Sequence, residues 1–138
     1  MMSNSQTPCV FCDIIQTNDS SKIIYADDEL VVFPDIKPAA PHHYLVVPKS
    51  HLLNAKQLGP EHKPLVENMI ETAKRILEEK GCDLANASLG FHWPPFNMIS
   101  HLHLHAIAPQ SEMGFAAKLM FRPDSWWFVT PQYVLSRL

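Results

Sequence analysis

Three histidines alternate with apolar residues between positions 101 and 106, in the order His-Leu-His-Leu-His-Ala. Because successive side chains of a β-strand point to opposite faces of its sheet, this period of two predicts a strand over residues 101–108. Its three imidazoles would share one face, while Leu102, Leu104 and Ala106 would point into the core. The chain must therefore build a sheet around this strand, with one face that accommodates three polar rings.

The three imidazoles suit phosphoryl chemistry. The rise of a strand places successive rings on that face roughly 7 Å apart, so a phosphoryl group between two of them could be contacted from both sides. With an ordinary pKa of about 6.5, histidine is mostly neutral and nucleophilic near pH 7 and is still easily protonated. One ring can attack phosphorus while a neighbour donates a hydrogen bond or a proton. A packing role is disfavoured because leucine would pack better, whereas a catalytic zinc site with a third ligand from elsewhere stays open as the alternative.

The rest of the pattern predicts an α+β fold, in which a mostly antiparallel sheet carries one long helix on a face. This helix follows Gly59-Pro60-Glu61 and ends before Gly81, with apolar residues at helical spacing between them. The other predicted elements are a helical turn over 9–16, a hairpin of strands 23–25 and 30–33, strands over 44–47 and 87–91, and a short helix, an extended piece and a terminal helix over 115–134. In a chain of 138 residues we expect a flexible tail over 1–8 and a single domain over 9–138, ending in a C-terminal extension over about 110–138.

Charge and composition restrict the partners and the compartment. A net charge of −3 argues against an extended electrostatic interface with nucleic acid, although it is compatible with a pocket for one nucleotide. There is no apolar run of membrane-spanning length, and residues 1–8 lack the apolar middle of a signal peptide. Three cysteines, two of them close together, favour a reducing compartment over a disulfide framework. We therefore expect a cytoplasmic or nuclear protein without membrane contact.

The histidine segment resembles the histidine triad motif, in which three histidines alternate with apolar residues. The segments upstream match in the same order and read C-V-F-C-D-I-I, I-I-Y-A-D-D-E-L-V-V-F, D-I-K-P-A-A-P-H-H and L-V-V-P-K-S-H. The resemblance covers roughly residues 9–109 and is strongest to the nucleotide-binding, adenosine phosphoramidase branch of that superfamily. The C-terminal segment W-W-F-V-T-P-Q-Y is similar to one member of that branch and, more distantly, to the aprataxin branch. The resemblance implies a histidine triad fold.

It also implies roles for the histidines. His103 matches the nucleophile that attacks the α-phosphorus of a nucleotide, and His105 matches the residue that hydrogen-bonds the phosphate. His101 matches the supporting first histidine, and Leu104 belongs to the same nucleotide-binding segment. His51, from P-K-S-H, matches the fourth histidine, which completes the cluster and helps to orient the nucleophile.

Two residues after the hairpin match the nucleoside contacts of the superfamily. Asp35 matches the carboxylate that binds both ribose hydroxyls, and Ile36 matches a residue that lines the base pocket. The chemistry is coherent, because a carboxylate suits a vicinal diol and an apolar side chain suits a purine face. Without the resemblance, a turn-forming aspartate ahead of Pro38 would be the simpler interpretation of Asp35.

The approach to the histidines departs from the phosphoramidase pattern. Gly90 falls near the place of an asparagine, and Met98 sits where a phosphate-side serine is typical. His92 and Ser100 are the candidates to replace these contacts to the nucleotide. The aprataxin branch also has a glycine-aromatic-histidine approach, although an ordinary loop histidine remains the alternative for His92.

Cys9 and Cys12 have the spacing of a zinc knuckle, which supplies only half of a tetrahedral site. Some prokaryotic histidine triad proteins complete such a site with two histidines, and the resemblance assigns those ligands to His51 and His101. Two ordinary packed cysteines are the other interpretation. Both stay open at this point.

The resemblance implies a hydrolase that cleaves AMP-linked phosphoramidates or acyl adenylates through a covalent nucleotidyl-histidine and releases AMP. No cofactor is required for these steps, apart from a structural zinc if the knuckle binds one. Family members are often homodimers that bind purine nucleotides. The alternatives are aprataxin-like deadenylation of nucleic-acid ends, which the net negative charge disfavours, and a nucleotide-binding or scaffold protein with negligible turnover.

Overall fold

The fold is built on six antiparallel strands, as seen in a computed structural model that describes residues 9–18 and 20–138. The strands are β1 Tyr25–Ala26, β2 Leu30–Pro34, β3 His42–Pro48, β4 Ser88–His92, β5 Leu104–Ala108 and β6 Phe128–Val129. They lie side by side in the order β1-β2-β3-β5-β4-β6, so the histidine strand occupies the middle of the sheet. The predicted tail over 1–8 lies outside the described residues.

Four α-helices accompany the sheet: α1 Val10–Thr17, α2 Lys63–Glu79, α3 Phe115–Met120 and α4 Pro131–Ser136. A 3₁₀ turn over Pro60–His62 leads into α2, as the Gly-Pro-Glu start signal predicts. Gly81 follows this helix with φ 83°, a left-handed conformation that glycine adopts without a side-chain penalty. The predicted α+β arrangement, with one long helix on a mostly antiparallel sheet, is therefore confirmed.

The two faces of the sheet carry different layers. One face packs against α2, and its core contains Leu102, Leu104 and Ala106, as the alternation predicts. At about 1.5–3 kcal/mol for each fully buried large side chain, this layer is the main source of stability. The opposite face packs against α1, whose Phe11 and Ile14 join Val31, Phe33, Leu45 and Val47. His43 and His105 occupy alternate strand positions on this second face.

The start of the histidine strand differs from the sequence-based expectation. Strand β5 begins at Leu104 and not at position 101, because the preceding segment turns toward the residues after β3, where the Leu102 N–H donates to the Leu52 carbonyl at 2.6 Å. The Leu104 side chain is fully buried on the α2 face. Any nucleotide contact from Leu104 must therefore come from its backbone.

The C-terminal segment forms the expected short helix, extended piece and terminal helix. The extended piece is strand β6, which pairs with β4 in the register Phe91 opposite Val129 and His92 opposite Phe128. This places aromatic side chains of the C-terminal segment beside the histidines. Within residues 9–18 and 20–138, the structure contains no helix with the length and apolarity to span a membrane.

Candidate active site

His103 lies just before β5, and one of its two ring nitrogens is hydrogen-bonded to the main chain. Its Nδ1–H donates to the main-chain carbonyl of His101 at 2.7 Å, so Nδ1 holds the proton and Nε2 keeps its lone pair. Burial, more than any neighbouring group, lowers the pKa of His103 to about 4. The ring is therefore neutral near pH 7 and presents Nε2 as a nucleophile.

The tautomer of His105 follows from a chain of hydrogen bonds that starts at the main chain. The Ala39 N–H donates to His43 Nδ1 at 2.9 Å, so the proton of neutral His43 is on Nε2. That Nε2–H lies 2.9 Å from His105 Nδ1 and donates to it. His105 must then carry its own proton on Nε2, which is buried and has no hydrogen-bond partner among the residues the structure describes. A buried donor without an acceptor suits a ligand oxygen.

His43 is a residue of the candidate site that sequence reasoning missed. It is a buried histidine on β3, on the same face as Leu45, and its ring contacts that of His105 with centroids 5.2 Å apart. Burial lowers the pKa of His43 to about 4, although the charge of Asp35 acts in the opposite direction. A polar residue at an inward position of an otherwise apolar strand was the signal that could have identified it.

Asp35 lies beside the buried histidine His43. Its Oδ2 lies 3.4 Å from His43 Nε2, while Oδ1 accepts the Lys37 N–H at 2.9 Å. The Asp35 N–H donates to the His43 carbonyl at 2.9 Å, which fixes the loop against β3. Ile36 follows with 91 % of its side chain exposed, so it lies at the surface next to this carboxylate.

An aromatic wall encloses His105 from the C-terminal side. The rings of His92, Phe121 and Phe128 lie 5.0, 5.1 and 5.9 Å from that of His105. His92 donates its Nε2–H to the Met120 carbonyl at 3.0 Å and so ties the end of α3 to β4. His92 thus packs against His105, and burial lowers its pKa.

The departures before the histidines have different positions in the structure. Gly90 pairs directly opposite His105, and a Cβ there would lie 2.5 Å from Phe128 Cζ, so the missing side chain makes room for the aromatic wall. Met98 is 88 % exposed, and Ser100 is exposed beside His101.

Cys9, Cys12, His51 and His101 form a second cluster, in which all four ligand atoms lie within 4.8 Å of one another. His101 Nε2–H donates to the Pro48 carbonyl at 2.9 Å, which leaves Nδ1 with a lone pair directed at the sulfurs. The sulfur–nitrogen distances are 3.2–3.6 Å, and the two Nδ1 atoms are 3.1 Å apart.

These distances fit a metal tetrahedron. Zinc–sulfur bonds of about 2.3 Å and zinc–nitrogen bonds of about 2.0–2.1 Å give sulfur–nitrogen edges of about 3.5 Å and a nitrogen–nitrogen edge of about 3.3 Å. The cluster could therefore hold a zinc ion. Burial raises the pKa of Cys12 to about 11, so a bound metal would have to displace this thiol proton. The structure thus places His51 with the cysteines, while His43 contacts His105.

Asp35, His43 and His105 also converge closely enough to suggest a metal site, but their hydrogen bonds oppose it. Because His43 Nδ1 accepts a main-chain N–H, Nε2 carries a proton and offers no lone pair. A metal at Nε2 would require that bond to break. This group therefore acts as a hydrogen-bond network.

Comparison with known proteins gives concordant matches. The family model described as "Scavenger mRNA decapping enzyme C-term binding" matches residues 8–121. Adenosine 5'-monophosphoramidase HINT3 of Mus musculus is 46% identical over 138 residues, covering 98% of this chain and 84% of the mouse protein. HINT3 of Xenopus tropicalis is 44% identical over 132 residues, covering 94% of this chain and 86% of its own length. A solved HIT family hydrolase from Clostridium thermocellum superposes with a TM-score of 0.68 at 30% identity, covering 75% of this chain and 91% of that one.

Proposed function

The chain belongs to the histidine triad superfamily, and from that premise we propose that it hydrolyses AMP-linked phosphoramidates and acyl adenylates. The similarity to two adenosine 5'-monophosphoramidases over nearly the whole chain supports this substrate class. The observation that carries the chemistry is the pair of complementary nitrogens: His103 Nε2 has a free lone pair, and His105 Nε2 has a proton and no partner among the described residues. The two rings are 4.9 Å apart between centroids.

In the first step, His103 Nε2 attacks the α-phosphorus of the substrate. A bond forms between this nitrogen and phosphorus, and the bond from phosphorus to the amine or acyl oxygen breaks. The leaving group takes the electron pair of that bond, and an amine leaves with a proton from water. His105 Nε2–H donates to a phosphate oxygen as negative charge builds there. The product of this step is an adenylylated His103.

In the second step, a water molecule attacks the same phosphorus. The phosphorus–nitrogen bond to His103 breaks, its electron pair returns to Nε2, and the water proton passes to solvent. AMP is released and His103 is restored. Because the Nδ1–H of His103 stays on the His101 carbonyl, the same tautomer is ready for the next substrate.

The nucleoside would lie over the loop after β2, with its ribose hydroxyls on Asp35 and its base against Ile36. His92 would border the phosphate from the aromatic wall, and Ser100 would approach it from the exposed loop. Holding the phosphate between two oriented rings supplies much of the rate by positioning alone.

The second cluster has a structural role in this proposal. Cys9, Cys12, His51 and His101 would hold a zinc ion whose four protein ligands leave no open position for substrate. The metal would supply rigidity to the segment that carries His101. Because the His101 carbonyl orients His103, that rigidity would reach the nucleophile, which is the orienting role expected for His51.

Intact-protein mass spectrometry after brief mixing with an adenosine phosphoramidate tests the proposal. The wild-type protein should gain the mass of one adenylyl group, and His103→Ala should gain none. His62→Ala, in the 3₁₀ turn that leads into α2, is the matched control and should behave as wild type. An adduct on His103→Ala, or the absence of both adduct and released AMP from wild type, would refute the mechanism. AMP binding without turnover would instead support a binding or scaffold function.

The assembly and the compartment are also proposals. We expect a homodimer, by analogy with the superfamily, and a cytoplasmic or nuclear location. Light scattering on the purified protein and imaging of a tagged protein test these two expectations.

A further inference from the structure

Cys9 and Cys12 lie on a single turn of the chain, where α1 begins. The Cys9 carbonyl accepts the Asp13 N–H at 3.0 Å, and the Cys9 sulfur accepts the Cys12 N–H at 3.3 Å. Helix geometry separates the Cα atoms of residues three apart by roughly 5 Å, inside the range of roughly 4.4–6.8 Å that a disulfide spans. The two sulfurs lie within 4.8 Å of each other. A disulfide between them therefore needs rotation of two side chains more than movement of the helix.

The two nitrogens of the same cluster are held by other parts of the chain. His101 is fully buried, and its Nε2–H donates to the Pro48 carbonyl at 2.9 Å, so its ring stays in place without the sulfurs. His51 belongs to the segment that follows β3. Sulfurs that turn toward each other leave these nitrogens behind, and a neutral disulfide is a poor ligand because zinc binds the thiolate. Two nitrogens do not complete a tetrahedral site, so a disulfide and a zinc ion exclude each other.

The sulfurs of this pair are accessible and chemically competent. Cys9 and Cys12 are both partly exposed, and the neighbouring His51 is exposed, so a small oxidant can reach them. The third cysteine, Cys82, packs beside the core on the α2 face of the sheet, whereas Cys9 packs beside the core on the α1 face. Coordination to zinc keeps both sulfurs of the pair as thiolates, the form that attacks an oxidant. Access, reactivity and the spacing of a disulfide thus coincide at one place.

We propose that Cys9 and Cys12 are a redox pair that exchanges a bound zinc ion for a disulfide on reaction with hydrogen peroxide, an inference that rests on the proposed zinc site and not on the hydrolase chemistry. One thiolate attacks a peroxide oxygen: a sulfur–oxygen bond forms, the oxygen–oxygen bond breaks, and the leaving hydroxide takes a proton to become water. The second thiolate attacks the resulting sulfenic acid: a sulfur–sulfur bond forms, the sulfur–oxygen bond breaks, and a second water leaves in the same way. Two thiolates, one peroxide molecule and two protons give one disulfide and two waters, with two electrons passed from sulfur to oxygen. The zinc ion is released without a change of charge.

Treatment of the reduced, zinc-loaded full chain with a small excess of hydrogen peroxide tests the pair directly. A chromogenic zinc indicator should record the release of about one zinc ion per chain, and denaturing mass spectrometry should show the loss of two hydrogen atoms. Peptide mapping should place the new disulfide between Cys9 and Cys12. Reduction with a phosphine should restore both the mass and the uptake of zinc. Zinc retained after peroxide treatment, or zinc released without a disulfide between Cys9 and Cys12, would overturn the proposal.

Two cysteine variants provide the matched comparison. Cys82→Ser keeps the pair, so it should release zinc and form the disulfide as wild type does. Cys9→Ser leaves one sulfur of the pair without its partner, so the Cys12 sulfur should gain oxygen atoms in place of a disulfide. A disulfide within the Cys9→Ser chain, or loss of the disulfide in Cys82→Ser, contradicts the assigned pairing.

Zinc titration of the metal-free protein tests the exclusion itself. The reduced chain should take up one zinc ion, and the chain oxidised beforehand should bind zinc at least about a hundredfold more weakly because two of four ligands are lost. Zinc should raise the Tm of the reduced chain and leave the Tm of the disulfide form unchanged. Equal affinity in the two forms, or no uptake by the reduced form, refutes the exchange. Neither measurement depends on turnover, so a failed hydrolase assay leaves this inference intact.

Discussion

Gly90 lies in β4 directly opposite His105. Another side chain occupies the space that a side chain at position 90 would need. A Cβ at this position would lie 2.5, 2.6 and 3.0 Å from three ring carbons of Phe128. Phe128 is 1% exposed, and its ring also packs against His92 and Phe121. The ring is therefore enclosed and has little room to move away from an added methyl group.

The substitution Gly90→Ala should destabilise the protein by about 1–3 kcal/mol, the usual range for overpacking a well-filled core. An unfolding entropy of about 2.1 cal/mol/K per residue gives about 290 cal/mol/K for 138 residues. The expected fall in Tm is therefore about 3–10 °C. Thermal unfolding followed by circular dichroism measures it.

Two comparisons make this prediction specific. Gly114→Ala is the matched control, because within the described part of the chain no atom outside the glycine, its chain neighbours and the backbone of its own helix lies within 4 Å of the added Cβ, and its Tm should change by about 2 °C or less. In a Phe128→Leu background, Gly90→Ala should cost at least about 1 kcal/mol less, since the clash partner is smaller. A Gly90→Ala protein as stable as wild type, or an equal cost in both backgrounds, would refute the reasoning.

Three further predictions concern the histidines and the metal cluster. His43→Gln places a hydrogen-bond donor near the Nε2 position, whereas His43→Asn keeps only an acceptor near the Nδ1 position. The asparagine variant should therefore show the larger loss of kcat, about 10²–10³-fold. Equal losses in the two variants would contradict the assigned tautomer of His43. Because the pKa of His43 falls from 6.5 to about 4 on folding, the unfolded chain binds more protons between these values, and His43 alone should lower stability by about 2 kcal/mol from pH 7 to pH 5. His103, whose pKa also falls to about 4, should add a fall of similar size. Urea unfolding should show this fall in wild type and a smaller one in His43→Gln. Removal of zinc by a chelator should lower Tm. One equivalent of zinc should restore Tm in wild type and in the control Cys82→Ser, but not in Cys12→Ser. Restoration of Tm in Cys12→Ser would exclude the proposed ligands.

Much of the local architecture could be predicted because it depends on the regular spacing of apolar and polar residues within one segment. The alternation at 101–106 determined which side chains enter the core, and Leu102, Leu104 and Ala106 do so. The helical spacing between Gly59 and Gly81 identified α2 and its role as a cover for the sheet. Asp35 was identified on the strength of the superfamily resemblance and not of the local pattern.

The composition of the site depended on contacts between distant segments. His43 meets His105 because β3 and β5 are neighbours in the sheet, and no local pattern in either strand specifies that pairing. The aromatic wall likewise arises because β6 pairs with β4.

The sequence by itself determined the direction in which each strand residue points, because side-chain direction follows from backbone geometry within a few residues. Only the tertiary structure decided which ring nitrogen of His43, His103 and His105 carries a proton. Each of those tautomers depends on a partner brought close by the fold: the Ala39 N–H, the His101 carbonyl and the His43 ring. The chemistry of an imidazole changes with its hydrogen-bond partner, and those partners are arranged by the packing of the whole chain.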